Sequence, residues 1–260
     1  MPSAIKIAVA GSRGRMGQTI ITALLADKTF QYIGGIGRPE HDEAGFLSIE
    51  AVLETADVII DFSTAASATV LAERCAGRGG PALVIGATGF DRNEEGRITA
   101  AARRIAILRS GNFSIGLNLL TRLIAQVSGT LPAEAWDIEI TEAHHRRKVD
   151  APSGTALMLG EAAAQGRMVS LGSVERRGRD GMTGLRPEGE IGFSVVRGGG
   201  IVGEHSVIFA AEEEVITISH SALGRGMFAR GALAAASWIV GKPPGAYTMT
   251  DVLDPAGSKD

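Results

Sequence analysis

Residues 142–156 read EAHHRRKVDAPSGTA. His144, His145, Arg146, Arg147 and Lys148 stand in unbroken succession, and Pro152-Ser153-Gly154-Thr155 follow at the head of an apolar run, ALMLGEAAA. Serine suits the N-cap of a helix, and a glycine after it leaves the backbone open to a ligand. The free N–H groups of a first helical turn, at the positive end of the helix dipole, receive anions. His145, Lys148 and the Thr155 hydroxyl add donors, so the segment predicts a receptor for a small carboxylate-bearing substrate. Adjacent histidines also raise zinc, but no cysteine is near and no carboxylates fall at familiar ligand spacing, so no metal is expected. A solvated loop or an RNA contact would account for the charge alone; the helix start favours the substrate site.

A second stretch, AVAGSRGRMG, places Gly11, Gly14 and Gly17 directly after an apolar strand and at the opening of a helix. There, glycines allow a tight turn and close helix–strand packing while helix N–H groups take up a pyrophosphate. The spacing is GxxGxxG, with Arg13 where the common dinucleotide fingerprint has its middle glycine. Two more turns, Gly86-Ala87-Thr88-Gly89 and Ser110-Gly111-Asn112-Phe113, follow later strands on the side where open α/β sheets bind ligands. Asn112 either hydrogen-bonds a nicotinamide carboxamide or caps the next helix. The second strand ends in Ile36-Gly37-Arg38, with no acid to hold a ribose 2′-hydroxyl. Arg38 suits a 2′-phosphate, which predicts NADPH ahead of NADH, although a solvated arginine is the ordinary alternative.

These residues need elements to position them. Apolar runs at 4–10, 31–36, 57–61, 81–86 and 105–109 alternate with helical patterns, as in a Rossmann-like, doubly wound parallel α/β sheet. After residue 113 the pattern changes to a helix, a strand at 136–143, a helix from 153, and strands at 191–196, 206–210 and 215–219. That order predicts a second α+β domain with a mixed or antiparallel sheet. The expected division is a dinucleotide domain over 1–113, completed by the helical segment within 223–260, and a substrate and oligomerisation domain over 114–222.

The whole chain narrows the function classes. It has 260 residues, 26 Lys plus Arg against 29 Asp plus Glu, and 45% hydrophobic residues, enough for a sizeable core. Net charge −3 leaves no broad basic face for nucleic acid. The lone Cys75 reads as a small buried hydrophobe in a reducing compartment. The apolar segment ALAAASWIVG falls well short of the ~20 residues that span a bilayer. A cytoplasmic protein with no membrane partner is expected.

GSRGRMG, NFSIGLNLL, EAHHRRKVDAPSGTAL and IVGEHSVIFA occur in this order along the chain. By these motifs, end to end, the sequence resembles the 4-hydroxy-tetrahydrodipicolinate reductase family of bacterial lysine and diaminopimelate biosynthesis. The resemblance implies reduction of a cyclic dicarboxylate with NADPH or NADH, and a homotetramer formed through the second domain. It implies His144 as the acid/base residue, Lys148 as proton donor and substrate contact, and His145, Ser153, Gly154 and Thr155 as substrate-binding positions. The cofactor would lie against Gly11, Ser12, Arg13, Gly14, Arg15 and Met16, against Gly86, Ala87 and Thr88, and against Ser110, Gly111, Asn112 and Phe113; Arg38 at the ribose is the reading of the strand end itself. Gly37 departs from better-known members, which carry an acid there. Another nicotinamide-dependent dehydrogenase of amino-acid metabolism would share the first domain but lack the HHRRK–PSGT pairing, and a non-catalytic NADPH-sensing module would bind NADPH without turnover.

Overall fold

The computed structural model describes residues 3–36 and 45–254. Its contacts divide the chain into Met1–Ile115 with Arg225–Asp260, and Gly116–Gly224. These edges lie two residues beyond the expected ones.

The first unit is built on seven strands, all parallel, in the order β12-β6-β5-β4-β1-β2-β3. They are β1 (Ile5–Ala10), β2 (Phe30–Ile36), β3 (Phe46–Leu47), β4 (Val58–Asp61), β5 (Ala82–Ile85), β6 (Ala106–Arg109) and β12 (Gly245–Tyr247). The central strands are apolar on both faces because helices cover both. On one face Ile7, Val9 and Ile60 meet Ile20 and Leu24 of α1 (Arg15–Ala26) and Ala232 and Ala236 of α8 (Gly226–Ile239). On the other, Ala8, Ile59 and Leu83 meet α2 (Ile49–Thr55), α3 (Ala65–Arg78) and α4 (Arg92–Ala102) through Val52, Leu71, Cys75 and Ile98. Helix α8, followed by β12 and α9 (Met249–Leu253), belongs to this unit. Strand order reverses between β1 and β4, so the turns after β1, β4, β5 and β6 share the carboxyl edge where such sheets bind ligands.

The second unit holds a mixed sheet in the order β11-β10-β7-β9-β8. Its strands are β7 (Asp137–His144), β8 (Glu175–Arg177), β9 (Ile191–Arg197), β10 (Glu204–Ala210) and β11 (Val215–Ser221). Only β10 and β11 form the consecutive hairpin that the short spacings suggest; β9 runs parallel to β7, and β10 antiparallel to its other edge. A parallel neighbour needs a crossover, which the segment containing α6 (Gly154–Gly166) and α7 (Leu171–Val174) supplies. Strand β7 alternates, burying Ile138, Ile140, Glu142 and His144 on one face. Helices α5 (Ile115–Thr130) and α6 cover that face, closely apposed at Gly129 and Gly166, with the Ser128 hydroxyl donating to the Ala163 carbonyl at 2.7 Å.

Asp61 ends β4 fully buried, with one carboxylate oxygen accepting from the Ser63 N–H at 2.7 Å and the other without a hydrogen-bond partner. Burial raises its pKa, and it helps burial push the neighbouring Cys75 thiol up to about 12, an inert sulfur. A carboxyl whose pKa is raised on folding contributes stability below its unfolded pKa and loses it as pH rises. Asp61→Asn, which keeps the bond from Ser63, is therefore expected to raise the urea midpoint at pH 7.5, with the gap closing below about pH 4. Equal midpoints at pH 7.5 would show that Asp61 carries no such cost.

Candidate active site

At the carboxyl edge of the first unit, the glycine-rich turn is shaped by contacts that only glycine permits. Gly11 has φ +72°, and a Cβ there would lie 2.7 Å from the Phe62 carbonyl oxygen. A Cβ on Gly17 would strike the Gly11 carbonyl. Gly14 N–H donates to the Gly11 carbonyl at 2.9 Å and Gly14 occupies the N-cap, where no side chain caps α1. The first helical amides are thus left to a ligand, and the turn fits the pyrophosphate of a nicotinamide dinucleotide. Arg13 places its guanidinium 4.7 Å from the centre of the Phe46 ring. Ser12 turns inward, its hydroxyl packed on Gly35 without a partner, so it has only backbone to offer a cofactor.

Phe62 organises the neighbouring turns, a role missed in the sequence. Its ring fills the space a side chain on Gly86 would need and packs on the buried Phe113 at 5.4 Å between centroids. Ala87 is buried and Thr88 exposed beside it. Phe113 is therefore a core residue by its side chain. In the third turn the Ser110 hydroxyl donates to the Asn112 carbonyl at 2.7 Å, Gly111 is exposed, and Asn112 Oδ1 accepts from the Ser114 N–H at 2.8 Å, a turn just ahead of α5. Gly37 and Arg38 lie outside the described residues.

In the second unit the structure gathers the histidine motif around one carboxylate. Glu142 and His144 share a face of β7, and Glu142 Oε2 lies 2.6 Å from His144 Nδ1. Arg197, at the end of β9, donates from Nη1 to Oε2 and from Nη2 to Oε1, each at 2.7 Å. The Ser153 N–H donates to Oε1 at 2.9 Å. Ser153 is the N-cap of α6, its hydroxyl accepting from the Ala156 N–H at 3.1 Å and lying 3.0 Å from His205 Nε2. His205, on β10, meets the His144 ring edge-on at 5.0 Å. Ser153, Glu142 and His205 are buried.

Around this buried cluster lie the groups open to a ligand. Gly154 is exposed, with nothing within 4 Å of where a Cβ would stand, and Thr155 is half-buried beside it. Lys148 Nζ pairs with Asp150 at 2.9 Å, a contact that holds the Asp150 carboxyl below its usual range. An incoming carboxylate would have to compete with Asp150 for that ammonium. His145 is half-buried, its Nδ1 enclosed without a partner, while Arg146 and Arg147 are exposed. Sequence spacing had joined His145, Lys148, Ser153, Gly154 and Thr155; Glu142, Arg197 and His205 were missed. Glu142 opens the same motif and stands two residues before His144, a strand spacing that could have flagged it.

Burial works against the charge on Glu142, but Arg197, His144 and the Ser153 amide overcome it and hold its pKa at about 2. Burial, with the nearby His144, lowers His205 to about 4. His205 is therefore neutral at neutral pH, with one ring nitrogen a donor and the other an acceptor.

Family models for dihydrodipicolinate reductase match the chain almost throughout, the N-terminal model over residues 5–113 and the C-terminal one over 116–253. The chain belongs to the dihydrodipicolinate reductase family. A 4-hydroxy-tetrahydrodipicolinate reductase of Caulobacter vibrioides is 56% identical, covering 97% of this chain and 98% of its own. One of Roseobacter denitrificans is 47% identical over the full length of both. Among solved structures, a dipicolinate-bound dihydrodipicolinate reductase from Paenisporosarcina shares the fold with a TM-score of 0.78, covering 94% of this chain and 97% of its own, at 22% identity.

A histidine whose folded pKa is depressed contributes stability above its unfolded pKa, and that stability is lost as pH falls through the folded value. For His205 the window runs from about 6.5 down to about 4. Wild type is expected to lose unfolding free energy steadily across this range, and His205→Gln to lose it with a slope lower by about one proton. Identical slopes in urea titrations of the two would place the proton uptake elsewhere.

Proposed function

We propose that this reductase transfers a hydride from NADPH, in preference to NADH, to the cyclic dicarboxylate 4-hydroxy-tetrahydrodipicolinate, whose 4-hydroxyl leaves as water to give tetrahydrodipicolinate, with His144 and Lys148 handling the proton. Family membership makes the chain a reductase of lysine and diaminopimelate biosynthesis. The observation that carries the site reading is the joint placement of His144 and the α6 N-cap on the Glu142 carboxylate. It sets a proton-exchanging imidazole near helix amides able to bind a substrate carboxylate.

The turns at Gly11–Met16, Gly86–Thr88 and Ser110–Phe113 would hold the dinucleotide, which when bound supplies the hydride. Gly154 and Thr155 receive one carboxylate of the substrate through backbone N–H and hydroxyl, with His145 as a further contact. Lys148 leaves Asp150 to neutralise carboxylate charge and polarise the ring nitrogen. His144, with its Nδ1 on ionised Glu142, exchanges a proton at Nε2, so reduction proceeds without leaving charge on the ring. The described residues include no helix long and apolar enough to cross a membrane. A cytoplasmic homotetramer completes the reading, supported by a sheet face of the second unit that leaves Ser194, Val196, Val215 and Ser219 exposed.

A coupled assay, with synthase product as substrate and reduced-nicotinamide absorbance as readout, tests this reading. Turnover is expected; NADPH binding without turnover would point to a sensing module. His144→Gln and Lys148→Ala should each lower kcat by ~10²-fold or more while circular dichroism stays native. Wild-type kcat in either folded variant removes that residue from proton transfer.

Cofactor choice is tested at Arg38. A well-formed arginine–phosphate contact is worth roughly 10- to 150-fold in affinity. The wild-type kcat/KM ratio for NADPH over NADH is expected in that range and should collapse in Arg38→Ala at fixed ionic strength. A ratio unchanged by the substitution assigns the preference to other residues, and a wild type favouring NADH overturns it.

A further inference from the structure

We propose that Glu142, clamped by Arg197, is a positioning residue that sets the tautomer of His144 and ties the start of α6 to the same carboxylate. The inference rests on the reading of His144 as the proton-exchanging residue and adds how that residue is prepared.

Four donors reach the two Glu142 oxygens: both Arg197 nitrogens, His144 Nδ1 and the Ser153 N–H, all between 2.6 and 2.9 Å. An ionised carboxylate can only accept, so Nδ1 must carry a hydrogen, and the lone pair of neutral His144 is confined to Nε2. Free histidine favours the opposite tautomer, so the selection costs energy that Glu142 has to supply. On the Nε2 side stands Gly203, where a Cβ would come within 3.0 Å of that nitrogen. A larger residue would crowd the proton-exchanging atom.

The same carboxylate closes a loop. Residues 144 and 153 bracket the segment that carries His145, Lys148 and Asp150, and both ends are bonded to Glu142. Arg197 pins the middle, its Nη2 also donating to the Asp150 carbonyl at 2.7 Å. The loop that bears the anion-binding lysine, the helix that bears Gly154 and Thr155, and the imidazole therefore share one anchor. The charged or titratable groups around His144 are Glu142 on β7, Arg197 on β9, His205 on β10, and Lys148 and Asp150 in the loop. Glu142 alone among them bonds its ring. A buried ion pair kept only for folding would place no such demand on the imidazole.

Ring nitrogen-15 spectra of the NADPH-bound wild-type enzyme, with His144 assigned by its loss in His144→Gln, report the tautomer directly. A protonated Nδ1 and bare Nε2 in the neutral form are expected; a protonated Nε2 overturns the proposal without any mutation of Glu142. Glu142→Gln removes the charge that favours the imidazolium. The pH limb of kcat/KM that His144→Gln abolishes should move to lower pH by about one unit or more, kcat should fall at least ~10²-fold, and substrate KM should rise. Arg197→Lys keeps a positive charge but loses the fork, and is expected to shift the same limb less. Should Glu142→Gln fail to fold, the wild-type tautomer and the Arg197→Lys profile decide. If Glu142→Gln or Arg197→Lys folds with an unmoved pH limb and wild-type kcat, the pair is structural only and the proposal fails; the reading of His144 then stands, provided His144→Gln is inactive. Wild-type turnover in His144→Gln takes down that reading and this proposal together.

Discussion

A buried carboxylate stays ionised only where donors meet its charge, and Glu142 sits inside the second unit with almost no exposure to water. The donors come from three places in the chain: the guanidinium that ends β9, the imidazole that ends β7, and the amide that begins α6. Each is drawn toward one point by the cost of leaving that charge uncompensated. The register of β7 against β9, which sets His144 beside Arg197, serves the same end. The shape of the loop from His145 to Pro152 is thus a consequence of electrostatic necessity at its base.

The first unit is governed by a steric constraint. The turns after β1, β4, β5 and β6 converge at the carboxyl edge, and Phe62 stands among them. Gly11 and Gly86 are glycines because the Phe62 backbone and ring already fill the space a side chain would take. Phe113 completes that packing from the last turn. Backbone is thereby brought to the edge with few side chains in front of it, the surface a pyrophosphate and a nicotinamide require. Asp61, just before Phe62, keeps an unsatisfied buried oxygen at this edge.

The two units rest on different physics. One presents helix amides and glycine backbone in a parallel sheet buried on both faces; the other presents ionisable side chains on a mixed sheet with one face covered. The proposed function draws on both: a neutral backbone cradle for the dinucleotide, and cations, amides and a proton-exchanging group for the substrate.

The sequence by itself determined the alternation of apolar runs and helical stripes, and with it the parallel sheet, because local periodicity is a property of neighbouring residues. It also determined the glycine turns, the Ser153 cap and the basic run, since each is a motif contained in a few consecutive positions. Only the tertiary structure decided that β9 lies parallel to β7 and that β10 takes the opposite edge, because spacing records how long a connection is and not where it returns. Only it showed that Ser12 and Phe113 face inward, that Asn112 Oδ1 closes a turn on the Ser114 N–H, and that Phe62 shapes the carboxyl edge of the parallel sheet. Arg197 and His205 lie 55 and 63 residues beyond Glu142 in the chain. No local pattern links them, and they meet because a buried carboxylate and an N-cap hydroxyl each require partners that only the folded sheet brings within reach.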